Sequence, residues 1–278
     1  MVKFVTDSST DMSPDKSINL EIVPLKIYTD ERDFVDDSSL DVHDMLVYLK
    51  NYKDRSYTSC PSTESWLEAF EGGDEIYCIT LTSLISGAYN SACNARDIYL
   101  EKHPDAKVCV IDTLTTGPEM RLTVEKVIEW RNAGKSFDEI SSQIQDYIHS
   151  TRLLFSFQSL HNFAQNGRVS KVVASAVGML NIRILGTASP EGTIQPMYKC
   201  RGDKSANKKL ISELEAIGYK GGRMNICQIE ALPLANALVE EIKAAFPGAE
   251  PHVYPAHGLC SYYGEGGGII LGLETSNN

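Results

Sequence analysis

Along the first half of the chain, short runs rich in Val, Ile and Tyr alternate with helical periodicities, and this alternation constrains the fold more than any other feature. Val2–Val5, Ile22–Tyr28, Glu75–Leu81 and Lys107–Ile111 read as strands. Between them, Leu40, Met45, Leu46 and Leu49 mark a helix with Asp41 as its N-cap, and Ala88, Tyr89, Ala92, Ala95 and Tyr99 mark another. Met120, Val124, Val127 and Ile128 give a third, and Ser136-Phe137-Asp138-Glu139 has capping-box spacing ahead of Ile140, Ile144 and Ile148. Strands alternating with helices predict an α/β protein with a parallel sheet flanked on both faces. The pattern changes near Thr151. A strand at Arg152–Phe157, an apolar helix at Val172–Leu180, and a hairpin of Ile182–Thr187 with Thr193–Cys200 turning at Pro190-Glu191-Gly192 predict a second, mixed α/β domain. Helix Lys204–Ile217, strand Met224–Ile229, helix Leu234–Phe246 and strands near His252 and Ile270 complete it. The expected division is residues 1–150 and 151–278, which the 278-residue length accommodates.

Net charge of −11 and a pI near 5.0 disfavour binding to a phosphate backbone, so nucleic acid is not an expected partner, and no basic run is visible. Seven cysteines (Cys60, Cys78, Cys93, Cys109, Cys200, Cys227 and Cys260) include no C-x-x-C pair, which points to a reducing compartment rather than a disulfide scaffold or zinc site. The N-terminus lacks the basic-then-apolar pattern of a signal peptide. The longest apolar stretch, Val172–Leu180, is too short to span a membrane. A cytoplasmic protein is expected.

Three segments dense in hydroxyls follow the early strands: Thr6-Asp7-Ser8-Ser9-Thr10-Asp11, Thr58-Ser59-Cys60-Pro61-Ser62 and Thr82-Ser83-Leu84-Ile85-Ser86-Gly87. In an open parallel sheet, ligands bind beyond the carboxyl ends of strands. Three such segments there would make a pocket of neutral donors suited to a small anion or carboxylate. Each also has a plainer reading. Ser86, Ser59 and Ser62 stand where helix caps stand, and Thr6-Asp7-Ser8 is ordinary turn chemistry. The other motifs are weaker. Gly264-Glu265-Gly266-Gly267-Gly268 lacks the dinucleotide spacing, Walker and G-x-S-x-G motifs are absent, and the six histidines have no ligand-like spacing, so no metal or cofactor is assigned. Asn166-Gly167-Arg168 reads as a turn carrying an exposed cation.

Taken together, Thr6-Asp7-Ser8-Ser9, Val23-Pro24-Leu25, the Thr58–Ser62 segment, Thr82 through Ser86-Gly87-Ala88-Tyr89, Asp112-Thr113, Asn166-Gly167-Arg168-Val169-Ser170, and Gly192 through Lys199 to Arg201 occur in an order that resembles the DegV family of bacterial fatty-acid-binding proteins. The resemblance implies two α/β domains with an acyl chain in a buried tunnel and its carboxylate at the mouth. By motif, Thr58, Ser59, Ser83 and Ser86 match the carboxylate-binding hydroxyls, and Arg168 matches an arginine that serves docking of a partner. That partner is a fatty acid kinase that phosphorylates the bound carboxylate with ATP, so the chain is a carrier without catalytic residues or cofactor, and its contact with membranes is at most transient. Three departures stand out. Cys60 replaces a glutamine, Arg183 replaces a proline, and the late His-x-Gly segment is unmatched, leaving Tyr262, Tyr263 or His257 to complete the site.

Burying each methylene is worth about 0.8 kcal/mol, so an acyl chain of about sixteen carbons offers roughly 11 kcal/mol before ordering costs. The tail would supply affinity and the hydroxyls orientation. Two other classes stay open from the residues alone. An acyl-transferase or hydrolase using Ser86 or Cys60 would need a base within hydrogen-bond reach. A small-anion binding module would need only a helix N-terminus.

Overall fold

The computed structural model describes residues 1–170 and 181–275. The chain opens with β1 (Val2–Asp7), β2 (Leu20–Val23), β3 (Lys26–Tyr28), β4 (Asp33–Val35), α1 (Val42–Asn51), β5 (Tyr57–Ser59) and α2 (Thr63–Phe70). It continues through β6 (Glu75–Thr80), α3 (Ala88–Lys102), β7 (Lys107–Asp112), α4 (Gly117–Asn132) and α5 (Phe137–His149). As the βα alternation predicts, β2-β1-β6-β7 form a parallel sheet. Successive residues of β1 show that both faces are covered. Phe4 stacks on Tyr77, whose ring meets Phe137 of α5, while Lys3 donates to the Ala69 and Glu71 carbonyls at the end of α2. Asp41 caps α1 through the Asp44 amide, and Ser136 and Glu139 close the capping box of α5.

The expected strand Ile22–Tyr28 is in fact two. Pro24 has no amide to give a ladder, and the Leu25 amide is taken by the Ser8 hydroxyl at 3.0 Å, so the chain leaves the parallel sheet there. Its continuation, β3, is the centre of a three-stranded antiparallel sheet, β4-β3-β5, that the sequence did not reveal. Strands of three residues carry too little periodicity to be read.

Beyond residue 150 come β8 (Thr151–Phe157), α6 (His161–Gln165), β9 (Ile182–Ala188), β10 (Ile194–Arg201), α7 (Asp203–Ala216), β11 (Gly222–Gln228), α8 (Leu232–Ala245), β12 (Ala249–Pro255), α9 (Gly258–Gly264) and β13 (Ile269–Glu274). Their strands build one mixed sheet of order β10-β9-β8-β13-β11-β12, in which only β11 and β12 are parallel. The hairpin β9–β10 turns where Gly192 permits a φ of +96°, as expected. The anticipated helix Val172–Leu180 lies outside the described residues.

Helix α4 packs between the two large sheets. Its first turn lies so close to β13 that a Cβ at Gly272 would stand 2.2 Å from the Glu119 nitrogen. Helix α9 returns to the first half of the chain, where its amides bind Asp36 and Leu259 joins the core of the parallel sheet. Among the described residues no helix is long and apolar enough to cross a membrane.

Candidate functional site

The parallel strands β2 and β6 and the loop after β7 deliver Leu25, Leu81 and Thr116 beyond their carboxyl ends, facing the mixed sheet. Alternate residues Leu153, Phe155 and Phe157 of β8 project toward them, with Ile270 of β13 and Ile194 of β10. Between these surfaces lies a cavity of ≈ 240 Å³. A single water needs roughly 10–15 Å³ on the same measure, so this space is a site rather than a packing defect. One wall is a run of aromatic rings: Phe155 on Phe157 at 4.6 Å, Phe157 on Phe163 at 6.0 Å, and Phe163 on Tyr263 at 4.6 Å. Two glycines make room for the wall. A Cβ at Gly186 would come within 2.3 Å of Phe155 Cζ, and one at Gly264 within 2.8 Å of Phe157 Cε1.

The polar groups form a contiguous patch. Thr58 and Ser59 arrive on β5, Cys60 follows, and Ser86 precedes α3. The Cys60 sulfur lies so near Gly87 that a Cβ there would stand 3.0 Å from it, which brings the two segments together. The Thr58 hydroxyl is 2.8 Å from that of Tyr263. Burial lifts the Tyr263 hydroxyl above its ordinary pKa of 10.0, against the lowering effects of Thr58 and Arg168, so it stays a proton donor. The Ser86 hydroxyl, one residue before the N-cap Gly87, accepts from the Ala88 amide at 3.2 Å, and the Ser59 hydroxyl has no hydrogen-bond partner among the described residues.

Arg168 is not the exposed cation its turn suggested. Gly167, at φ +75°, closes α6 and swings Arg168 half-buried onto the cavity wall. There Nε donates to the Ile85 carbonyl at 3.1 Å and Nη1 to that of Asn166. The patch therefore carries a positive charge that a reading of neutral donors alone omits.

Ser83 is not among the cavity-lining residues. Its loop is turned aside by Asp112, which accepts from the Ser83 amide at 3.2 Å and from that of Leu114 at 3.1 Å. The Thr6–Asp11 segment also lies outside the lining and acts as a clamp behind it. Asp7 accepts from the Leu81 amide at 2.8 Å and Asp11 from that of His257 at 2.7 Å, while the Ser8 hydroxyl accepts from the Leu25 amide at 3.0 Å. Asp36 receives the amides of Gly258 and Leu259 at 2.6 and 2.9 Å, so buried carboxylates hold the backbone of the cavity-lining Leu81 and Leu259. Of the three late candidates, Tyr263 faces the cavity. Tyr262 instead meets Ser56 and Asn166 at 2.8 Å each, and His257 is tied through its amide to Asp11.

The aromatic wall is what the sequence reading missed. The alternation Leu153, Phe155, Phe157 marks a strand face, but nothing local says that the face borders a cavity. Arg183, a departure from the expected pattern, is structural. It pairs with Asp203 at 2.7 Å and donates to the Gly267 carbonyl, pinning the glycine-rich turn.

No histidine, aspartate or glutamate is among the described lining residues, so neither Ser86 nor Cys60 has a general base there. No group of three His, Cys, Asp or Glu side chains among the described residues is placed to hold a metal.

Fold and site together define an α/β protein whose two large sheets enclose an apolar cavity with a polar patch at the strand ends. The family model described as "uncharacterised protein, DegV family" matches residues 1–269, and the chain belongs to the DegV family. It is 49% identical to a DegV family protein from Eubacterium eligens whose crystal structure is loaded with heptadecanoic acid, with a TM-score of 0.97 and coverage of 99% of this chain and 100% of that one. The Fatty Acid Kinase (Fak) B3 protein of Streptococcus pneumoniae, solved with linoleic acid, is 40% identical with a TM-score of 0.95, over 99% of this chain and 100% of that one. A DegV domain-containing protein of S. pneumoniae strain R6 is 40% identical over 276 residues, 98% of each chain.

Proposed function

We propose that this protein binds a long-chain fatty acid in the cavity and presents its carboxylate to a fatty acid kinase. The observation that carries the reading is the division of the cavity surface, with an aromatic and aliphatic wall on one side and a compact patch of hydroxyls and one cation on the other. The wall removes the acyl chain from water, at about 0.8 kcal/mol per methylene, while the patch orients the head group. We assign the carboxylate to Thr58, Ser59, Ser86 and the Tyr263 hydroxyl. Ser83, outside the lining, shapes the loop that carries Ser86. Arg168 keeps its docking role here through the Ile85 carbonyl it holds, because that bond fixes the loop a kinase must approach. Residues 1–150 then supply most of the carboxylate site, and residues 151–278 most of the acyl wall.

The relatives with heptadecanoic and linoleic acid bound support the ligand class, and the kinase B3 designation of one supports the partner. The reading needs no cofactor, since the kinase supplies ATP. The seven cysteines are free, which fits a cytoplasmic protein. A nucleophilic enzyme is disfavoured by the missing base, and a small-anion module by the aromatic wall, which a bare anion leaves unused. Mass spectrometry of organic extracts from purified protein should show a long-chain fatty acid in near-stoichiometric amount. Delipidated protein that takes up neither palmitate nor oleate in calorimetry would sink the proposal.

A further inference from the structure

On a chain with net charge −11, residues 199–208 gather four cations within ten positions. β10 is an edge strand of the mixed sheet. Cys200 turns inward to the core shared with Ala206 and Leu210 of α7, so Lys199 and Arg201, one residue either side, point from the opposite face. On α7, Lys204 and Lys208 stand one turn apart, both exposed. Lys199 and Arg201 thus stand on one face of the edge strand, and Lys204 and Lys208 on the outer side of the helix that covers its other face. None makes an ion pair among the described residues. The nearest acid in sequence, Asp203, is taken by Arg183, and the neighbouring Lys209 is taken by Glu213 at 2.8 Å while it lies 3.9 Å over the Tyr198 ring. Tyr198 and Met197, the latter at the bulge of β10, are exposed at 36% and 38% beside them.

We propose that this strip is a docking surface for an acidic face of a partner protein. Resting on the function proposed above, that partner is the fatty acid kinase. Ile194, the first residue of β10, lines the cavity, and Lys199 is five residues along the strand, roughly 17 Å away by strand rise. A partner seated on the strip therefore lies beside the cavity. Isolated lysines on edge strands also guard against sheet-to-sheet aggregation. Glutamates guard an edge equally well, so charge reversal separates guarding from docking. Opposite charges at an interface act chiefly on association rate and lose their effect as salt rises.

The test compares the parent with K199E/R201E/K204E/K208E and with the milder four-glutamine variant, all loaded with oleate. Affinity for the purified kinase from the same cell is measured at low and high salt, and oleate affinity is measured separately. Reversal should weaken kinase binding at least tenfold at low salt and abolish its salt dependence, with the glutamine variant intermediate and oleate affinity unchanged. Kinase affinity within twofold of the parent for either folded variant overturns the proposal. So does a parent that binds oleate but not the kinase, or a variant that loses only its attachment to anionic phosphatidylglycerol vesicles. A parent that binds the kinase through the strip yet takes up no oleate overturns the fatty-acid reading instead, and leaves the docking surface standing.

Discussion

Thr58 and Tyr263 own two hydroxyl protons and spend one on each other, so one remains for a carboxylate. If either residue is truncated, the survivor can turn its own proton to the ligand. Tyr263→Phe and Thr58→Val should therefore each cost only about 0.5–1.5 kcal/mol in fatty-acid affinity. The double variant should cost more than their sum, because a buried anion then loses its last donor there. Calorimetry with palmitate on the full cycle measures this, and simple additivity would show that the pair does not serve the ligand. Arg168 acts differently, since its bonds to Ile85 and Asn166 hold the neighbouring loop. Arg168→Ala should weaken fatty-acid binding by about 1–3 kcal/mol as well as slow phosphorylation by the kinase. Intact affinity with slow phosphorylation would restrict the residue to partner docking.

At the scale of elements, the seven-residue helix α9 is too short to persist alone and is held at its N-terminus by Asp36. Asp36→Ala strands the Gly258 and Leu259 amides in the interior and should cost roughly 1–3 kcal/mol of stability. Leu259, Cys260 and Tyr263 of the same helix line the cavity, so fatty-acid affinity should fall in parallel. Chemical denaturation and ligand titration on one sample check both. The strand β9 makes the converse case. Gly186→Ala would place a methyl against Phe155 and, at 2.5 Å, against the Gln195 carbonyl. Overpacking of this kind costs about 1–3 kcal/mol. The displaced ring has the cavity to move into, so the variant should take up shorter acyl chains better than long ones in competition assays.

Across the whole molecule, pH dependence follows from buried acids. Burial lifts the Asp7 carboxyl from 3.8 to about 6 and Glu119 from 4.5 to about 7, although the Ser9 hydroxyl and the Leu81 and Ser9 amides, for Asp7, and the Thr115 and Thr151 hydroxyls, for Glu119, work the other way. Asp11 and Asp36 are raised by the same cause. Well above pH 7, both folded and unfolded chains carry these groups ionised, and the folded chain bears the desolvation penalty. As pH falls through about 7 and then 6 the folded form takes up protons first, so stability rises until the unfolded chain protonates near pH 4. Asp15 and Glu139, held low by serine hydrogen bonds, oppose this only at still lower pH, and as exposed groups they are weakly coupled to stability. The melting temperature should increase between pH 8 and pH 5.5 in the ligand-free protein. A flat or falling profile would mean that the buried carboxylates are stabilised as anions.

The sequence by itself determined the elements whose signals are local. Apolar periodicity placed β1, β6 and β7 and α1, α3, α4 and α5, and capping chemistry placed Asp41 and Ser136. Glycine at Gly192 and Gly167 placed turns, because positive φ is a property of one residue and its neighbours. The ordered motifs also singled out Thr58, Ser59, Ser86 and Arg168, and it is packing that brings these four onto one cavity. Tertiary structure alone decided which hydroxyl segment faces that cavity. The Thr6–Asp11 and Ser83 segments look like the others in sequence, yet the Asp7 and Asp11 side chains are taken by the amides of Leu81 and His257, and the Ser83 amide is held by Asp112. The aromatic wall and the basic strip flanking β10 likewise exist only once separate strands and helices are laid side by side. Cavities and surface fields are made by packing between distant segments, and no local pattern encodes which faces will meet.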